Sequence, residues 1–157
     1  MEPMRPEVLS ALMARYCGGD AEACRELYRV VAPRLLGYLL KLARRPSLAS
    51  DLVQQTFLAI HRARASFVIG ADPIPWLYAI AYRVYLEHAH AAPLGQLDAE
   101  TMPELAALGV LSPADRHAFV LLELERLPVE RAAEIAGTTR RAIERGARRG
   151  VRALRSS

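Results

Sequence analysis

Residues 111–155 read LSPADRHAFVLLELERLPVERAAEIAGTTRRAIERGARRGVRALR. Ser112 is a helix N-cap residue, Pro113 suits the first helical position, and Asp115 puts an acid at the third. That helix presents Ala118, Phe119, Leu121, Leu122 and Leu124 and is expected to end near Arg126. Pro128 opens a short helix over 129–136, which carries Ala132, Ala133, Ile135 and Ala136 and closes at Gly137. Thr138 and Thr139 make the turn and supply the next N-cap, and a last helix runs over about 140–154. Two helices joined by a short turn containing glycine form a helix-turn-helix.

The charge of the last helix gives the motif a direction. The chain of 157 residues carries a formal +4. Residues 1–92 contribute +3, residues 93–139 contribute −5, and residues 140–157 contribute +6. Ala142, Ile143, Ala147, Val151 and Leu154 dock this helix, and arginines fill the remaining surface. In a helix-turn-helix the second helix enters the major groove with its N-terminal residues nearest the bases. Thr139, Arg140, Arg141, Glu144 and Arg145 are the candidates for base or nearby phosphate contact, and Arg148 and Arg149 follow along the groove. Cations are locally unfavourable at a helix N-terminus, so Arg140 and Arg141 point to a partner anion. Gly146 and Gly150 each cost roughly 1 kcal/mol inside a helix. Close approach to DNA, close approach to a packed helix, and simple tolerance all fit them.

Upstream, the pattern is again helical. Val8, Leu9, Leu12, Met13 and Tyr16 form a stripe that ends at Gly18-Gly19. Asp20 caps a second helix with Leu27, Tyr28, Val31, Leu35, Tyr38, Leu39 and Leu42 at helical spacing, and Pro33 predicts a bend or break at 30–33. Ser47 or Ser50 can start the next helix, whose apolar side carries Leu52, Val53, Phe57, Leu58 and Ile60, with Asp51 as a helix-start acid. Residues 68–75 read as a loop, and a helix follows from about Pro75 to residue 90. Residues 91–111 hold prolines, glycines and acids with little to pack. The fold class is therefore all-α, with helical domains at 7–90 and 112–156 joined by an acidic linker at 91–111.

Several functions are excluded. Apolar runs stay well short of the roughly 20 residues a membrane span needs. The start lacks the features of a secretion signal, so the expected compartment is the cytoplasm. Cys17 and Cys24 read as buried thiols, too far apart along a helix for a disulfide. The histidines form no metal-ligand spacing, with His61 and His117 isolated and His88 and His90 diverging, and no cofactor motif or catalytic set occurs.

Two ordered stretches carry a family resemblance: DAEACRELYRVVAPRLLGYLLKLARRPSLASDLVQQTFLAIHRARASF with PWLYAIAYRVYLEHAH, then LSPADRHAFVLLELERLPVERAAEIAG. Together they resemble the compact bacterial sigma factors of the extracytoplasmic-function type, which keep a region 2 and a region 4. The resemblance implies a first domain that binds core RNA polymerase and the −10 element, and a second that reads the −35 element as promoter duplex. Asp51, Leu52 and Gln54, with Gln55 where the family has an acid, would contact the polymerase. Trp76, Tyr78, Tyr82, Arg83 and Tyr85 would face the −10 side. The implied partners are the clamp and flap regions of core polymerase, double-stranded promoter DNA and an anti-sigma factor. No cofactor or metal is implied, and the polymerase performs the chemistry.

The chain departs from the family in two places. Between residues 65 and 92 the only cation is Arg83, whereas a single-strand binding surface combines stacking aromatics with a basic groove. The groove helix reads Arg141-Ala142-Ile143-Glu144-Arg145-Gly146, where the family commonly has G-T-V-K-S-R. Two accounts stay open: a divergent sigma factor, or a sigma-like regulator acting by protein contact or duplex binding without promoter melting.

Overall fold

The computed structural model describes residues 5–91 and 107–156. Residues 92–106, most of the acidic linker, lie outside the described residues. Helices α1 (Pro6–Cys17), α2 (Ala21–Ala43), α3 (Pro46–Ala63) and α4 (Pro73–Ala91) form one bundle. Helices α5 (Pro113–Phe119), α6 (Val129–Ala136) and α7 (Arg140–Arg155) form a second, smaller one. The architecture is all-α, as the periodicity predicts.

Leu9 and Met13 of α1, Leu27, Leu35 and Leu39 of α2, Leu52 and Ile60 of α3, and Leu77 and Ile80 of α4 close the core of the first bundle. The Asp20 carboxylate accepts from the backbone N–H groups of Glu22 and Ala23 and so starts α2 where the sequence places it. Five expectations need correction. Pro33 does not break α2, which runs unbroken from Ala21 to Ala43. Buried Val31 and Leu35 pin the helix on either side of it, and the ring faces solvent. Helix α3 starts at Pro46 behind Arg45, without a serine cap, so Asp51 is an exposed residue of the second turn. Helix α4 begins at Pro73, two residues early, because the Asp72 carboxylate accepts from the Ile74 N–H. The cysteines are not both buried: Cys24 is exposed and Cys17 half-buried, its thiol donating to the Arg64 carbonyl. Val8 and Leu58, assigned to apolar stripes, face solvent.

In the second bundle the Ser112 hydroxyl accepts from Asp115 N–H, Gly137 closes α6 in the left-handed region at φ 67°, and Thr139 caps α7 by accepting from Ala142 N–H. The periodicity predicts one regular helix over 113–126. The structure instead runs α5 into a π-helical turn over Val120–Leu124, whose extra residue shifts the facing of everything after Phe119. The crossing of α5 and α7 explains two glycines. A Cβ at Gly146 would lie 2.9 Å from the Ala118 Cβ, and one at Gly150 would lie 3.0 Å from the Phe119 Cβ. Of the three readings the sequence left open, close approach of a packed helix is the one observed.

Candidate nucleic-acid interface

Helix α7 shows the clearest division of faces. Ile143, Gly146, Ala147 and Gly150 are buried against α5 and α6, and Arg141, Arg145, Arg148, Arg152 and Arg155 stand exposed with no ion pair among the described residues. Two arginines are held by the protein itself. Arg140 pairs with Glu130 and Glu144 at 3.0 Å each, and these acids raise its pKa. The sequence reading of a partner anion at Arg140 is corrected accordingly, since two carboxylates of this chain supply the counter-charge. Arg141 has no such partner. Arg149 meets Asp115 through three hydrogen bonds of 2.9–3.2 Å, which tie α7 to α5 and also raise the arginine's pKa. Thr139 spends its hydroxyl on the cap, and Glu144 lies beside Arg140.

Helix α4 carries the residues for which the resemblance implies a −10 contact. Only Arg83 among them is fully exposed. Trp76 is half-buried with its ring 5.2 Å from Phe67. Tyr78 is buried at 1 % exposure and cannot offer a stacking face in this conformation. Its hydroxyl donates to Glu125 at 3.4 Å, and burial holds its pKa above the usual phenol value. Tyr82 and Tyr85 are half-buried.

The second bundle covers Tyr82 and meets Tyr78. Tyr82 stacks on the His117 imidazole with centroids 3.7 Å apart and planes 14° from parallel. The Tyr38 hydroxyl lies 2.5 Å from His117 Nε2, in a setting where His117 is 2 % exposed. Lys41 pairs with Glu125 at 2.6 Å, and Arg131 of α6 pairs with Asp72 at 2.6 Å. Each of the two histidines meets a tyrosine hydroxyl, since His61 Nδ1 lies 3.0 Å from that of Tyr16. The signal that pointed to these contacts was Tyr38 and Tyr78 on strongly apolar helix faces, because a buried phenol needs a hydrogen-bond partner.

A third surface lies between α2 and α3, an open groove of about 310 Å³ lined by Tyr28, Arg29, Pro33, Leu36, Val53 and Gln54. Tyr28 and Leu36 are 48 % and 40 % exposed, and the Tyr28 ring rests 4.6 Å from Phe57. Gln54 is exposed in the groove and Asp51 and Gln55 are exposed on α3, whereas Leu52 is fully buried and serves the core. The α2 wall of the groove was missed, although Tyr28, Ala32 and Leu36 recur every four residues and mark a second apolar stripe.

Among the described residues no group of His, Cys, Asp and Glu could hold a metal ion, and no helix is long and apolar enough to cross a membrane.

Residues 27–92 match Sigma-70 region 2. The chain is 32 % identical over 162 residues to the RNA polymerase sigma factor CarQ of Myxococcus xanthus, covering 91 % of this chain and 93 % of that protein. It is 30 % identical over 119 residues to the ECF RNA polymerase sigma factor SigF of Caulobacter vibrioides, covering 75 % of this chain and 64 % of SigF. Among solved structures, CnrH in complex with the cytosolic domain of CnrY superposes with a TM-score of 0.79 at 22 % identity, over 94 % of each chain. The sigma factor RpoE in complex with the anti-sigma factor NepR from Bartonella quintana gives 0.72 at 23 % identity, over 84 % of this chain and 94 % of that one. At these identities the structural matches speak to the fold.

Proposed function

Because this chain belongs to the sigma-70-like extracytoplasmic-function family of sigma factors, we propose that it binds core RNA polymerase and directs promoter-specific initiation. The observation that carries the DNA half of this reading is the outer face of α7, where Arg141, Arg145 and Arg148 are exposed, with no ion pair among the described residues, on the second helix of a helix-turn-helix. A helix so capped and docked places its N-terminal half in the major groove, with guanidinium groups directed at phosphates and base edges. The polymerase half is assigned to the α2–α3 groove, whose lining includes Gln54 beside an apolar floor, together with the exposed Asp51 and Gln55 of α3. An anti-sigma factor is a further proposed partner, supported by the complexes in which two structural relatives were solved. The protein contributes binding and DNA distortion, and the polymerase makes the bonds.

Helix α4 favours a second reading. Its −10 face holds one exposed cation, Arg83, and Tyr78 is buried. A regulator that binds duplex or protein without melting DNA would need nothing more. Transcription from a genomic promoter library with purified core polymerase separates the two. Specific start sites are expected; core binding without any specific initiation would leave only the regulator.

The groove assignment has its own expected result. Leu36→Glu puts a carboxylate on an exposed position of the apolar floor, so stability should stay within about 0.5 kcal/mol. Core-polymerase affinity should fall at least about tenfold, as when a central interface contact is lost. Titration against fluorescent core polymerase measures it, and unaltered affinity would move the docking site elsewhere.

A further inference from the structure

We propose that Tyr38, His117 and Tyr82 form a latch holding the helix-turn-helix bundle against α4, and that protonation of His117 releases it. The opening stands on the interface alone, whatever the chain binds. The latch joins three elements: Tyr38 on α2, Tyr82 on α4 and His117 on α5, 79 residues beyond Tyr38. With Tyr38 wholly buried and its phenol held far toward the protonated form, its hydroxyl shares a hydrogen bond with Nε2 of a neutral imidazole, donating to it when the ring carries its proton on Nδ1. The flat stack of Tyr82 on the ring's face completes the enclosure.

Among the described residues no carboxylate pairs with His117. From α2, His117 meets Tyr38, with Lys41 one turn further on and already paired to Glu125. From α4 it faces Tyr82, with Tyr78 and Tyr85 behind, and Tyr78 donates to Glu125. Glu125, the carboxylate after the π-helical turn, is thus occupied twice. On α5 itself, Arg116 donates to the Leu108 and Leu111 carbonyls, and Asp115 is held by Arg149 of α7. Arg131 of α6 is bound to Asp72. Tyrosine faces attract a cation weakly, but they do not replace the water that burial removes.

Burial accordingly pushes the His117 pKa down from 6.5 to about 3. Once the bundles part, the imidazole meets water and regains its ordinary affinity for protons. The open form therefore binds a proton that the closed form refuses. Closure is at full strength above pH 6.5 and weakens by about tenfold per pH unit below it, down toward pH 3. Between pH 7.5 and 5.5 the open-to-closed ratio should rise about tenfold. Release would uncover Tyr78 and Tyr82, the α4 side chains that the second bundle now covers.

Distances between spin labels at Leu58→Cys and Arg148→Cys, with Cys17 and Cys24 replaced by serine, read opening in the full chain. The Asp72→Asn background removes the Arg131 ion pair and brings the open fraction into range. In that background the open-to-closed ratio should rise about tenfold from pH 7.5 to 5.5. Adding His117→Gln should leave the ratio flat across the same interval. Circular dichroism at both pH values checks that the helices persist. The same rise in His117→Gln, a constant ratio with His117 present, absence of any open form at pH 5.5, or helix loss accompanying the change would each overturn the latch.

Discussion

Gly146→Leu should unfold the helix-turn-helix bundle. The glycine sits where α7 crosses α5, and even a single added carbon would lie 2.9 Å from the Ala118 Cβ and 3.3 Å from the Asp115 Oδ1. The Ala118 Cβ is fixed to a helix backbone and cannot swing aside, so the two helices must part. Parting them also stretches the Arg149–Asp115 bonds, which span the same crossing. Overpacking of this kind costs about 1–3 kcal/mol for a few extra carbons and more where the neighbour is backbone. A bundle this small has little stability to spare. Gly37→Ala is the matched control: it lies within α2 with nothing inside 4 Å of the added carbon, so the change should stabilise by about 0.5–1 kcal/mol through helix propensity alone. Urea unfolding followed by circular dichroism reads both. A leucine variant as stable as the parent would mean that α7 is not seated as described.

The features of this fold that the sequence made legible are those settled within a few residues. Asp20, Ser112, Gly137 and Thr139 act through backbone groups two to four positions away, and each caps or closes the helix where its type and position predict. The break allowed for at Pro33 is absent because propensity is local, whereas α2 is held by Val31 and Leu35 packing against other helices. Arg140 misled for a related reason: one of its two acids, Glu130, lies ten residues away across a turn. The contact between the bundles was the least visible. Tyr38, Tyr78 and Tyr82 occupy apolar helix faces, and the periodicity that marks a face as buried does not say which element covers it. The region most relevant to function, the outer face of α7, was the most legible, because exposed arginines between buried Ile143, Gly146 and Gly150 leave an unambiguous division of the helix.

That face supports the second large effect. Replacing Arg141, Arg145 and Arg148 together with glutamine should lower duplex affinity by about 500-fold at 0.1 M salt. Each lost phosphate contact reduces the slope of log K against log salt by about 0.9, so three contacts reduce it by about 2.7. Extrapolated from 1 M, where the counterion term vanishes, that slope change gives the 500-fold loss at 0.1 M. All three side chains are exposed and make no ion pair among the described residues, so their removal should leave the bundle folded. Arg149→Gln makes the useful contrast. Arg149 is bound to Asp115, so losing it should loosen the α5–α7 crossing while reducing the salt slope by less than one contact. Fluorescence anisotropy on a duplex, repeated from 0.05 to 0.5 M salt, separates the two cases through the slope. If the triple variant kept the parent slope, the DNA would have to be held by a surface other than α7. If affinity fell with the slope unchanged, the arginines would be shaping the helix and not meeting phosphates.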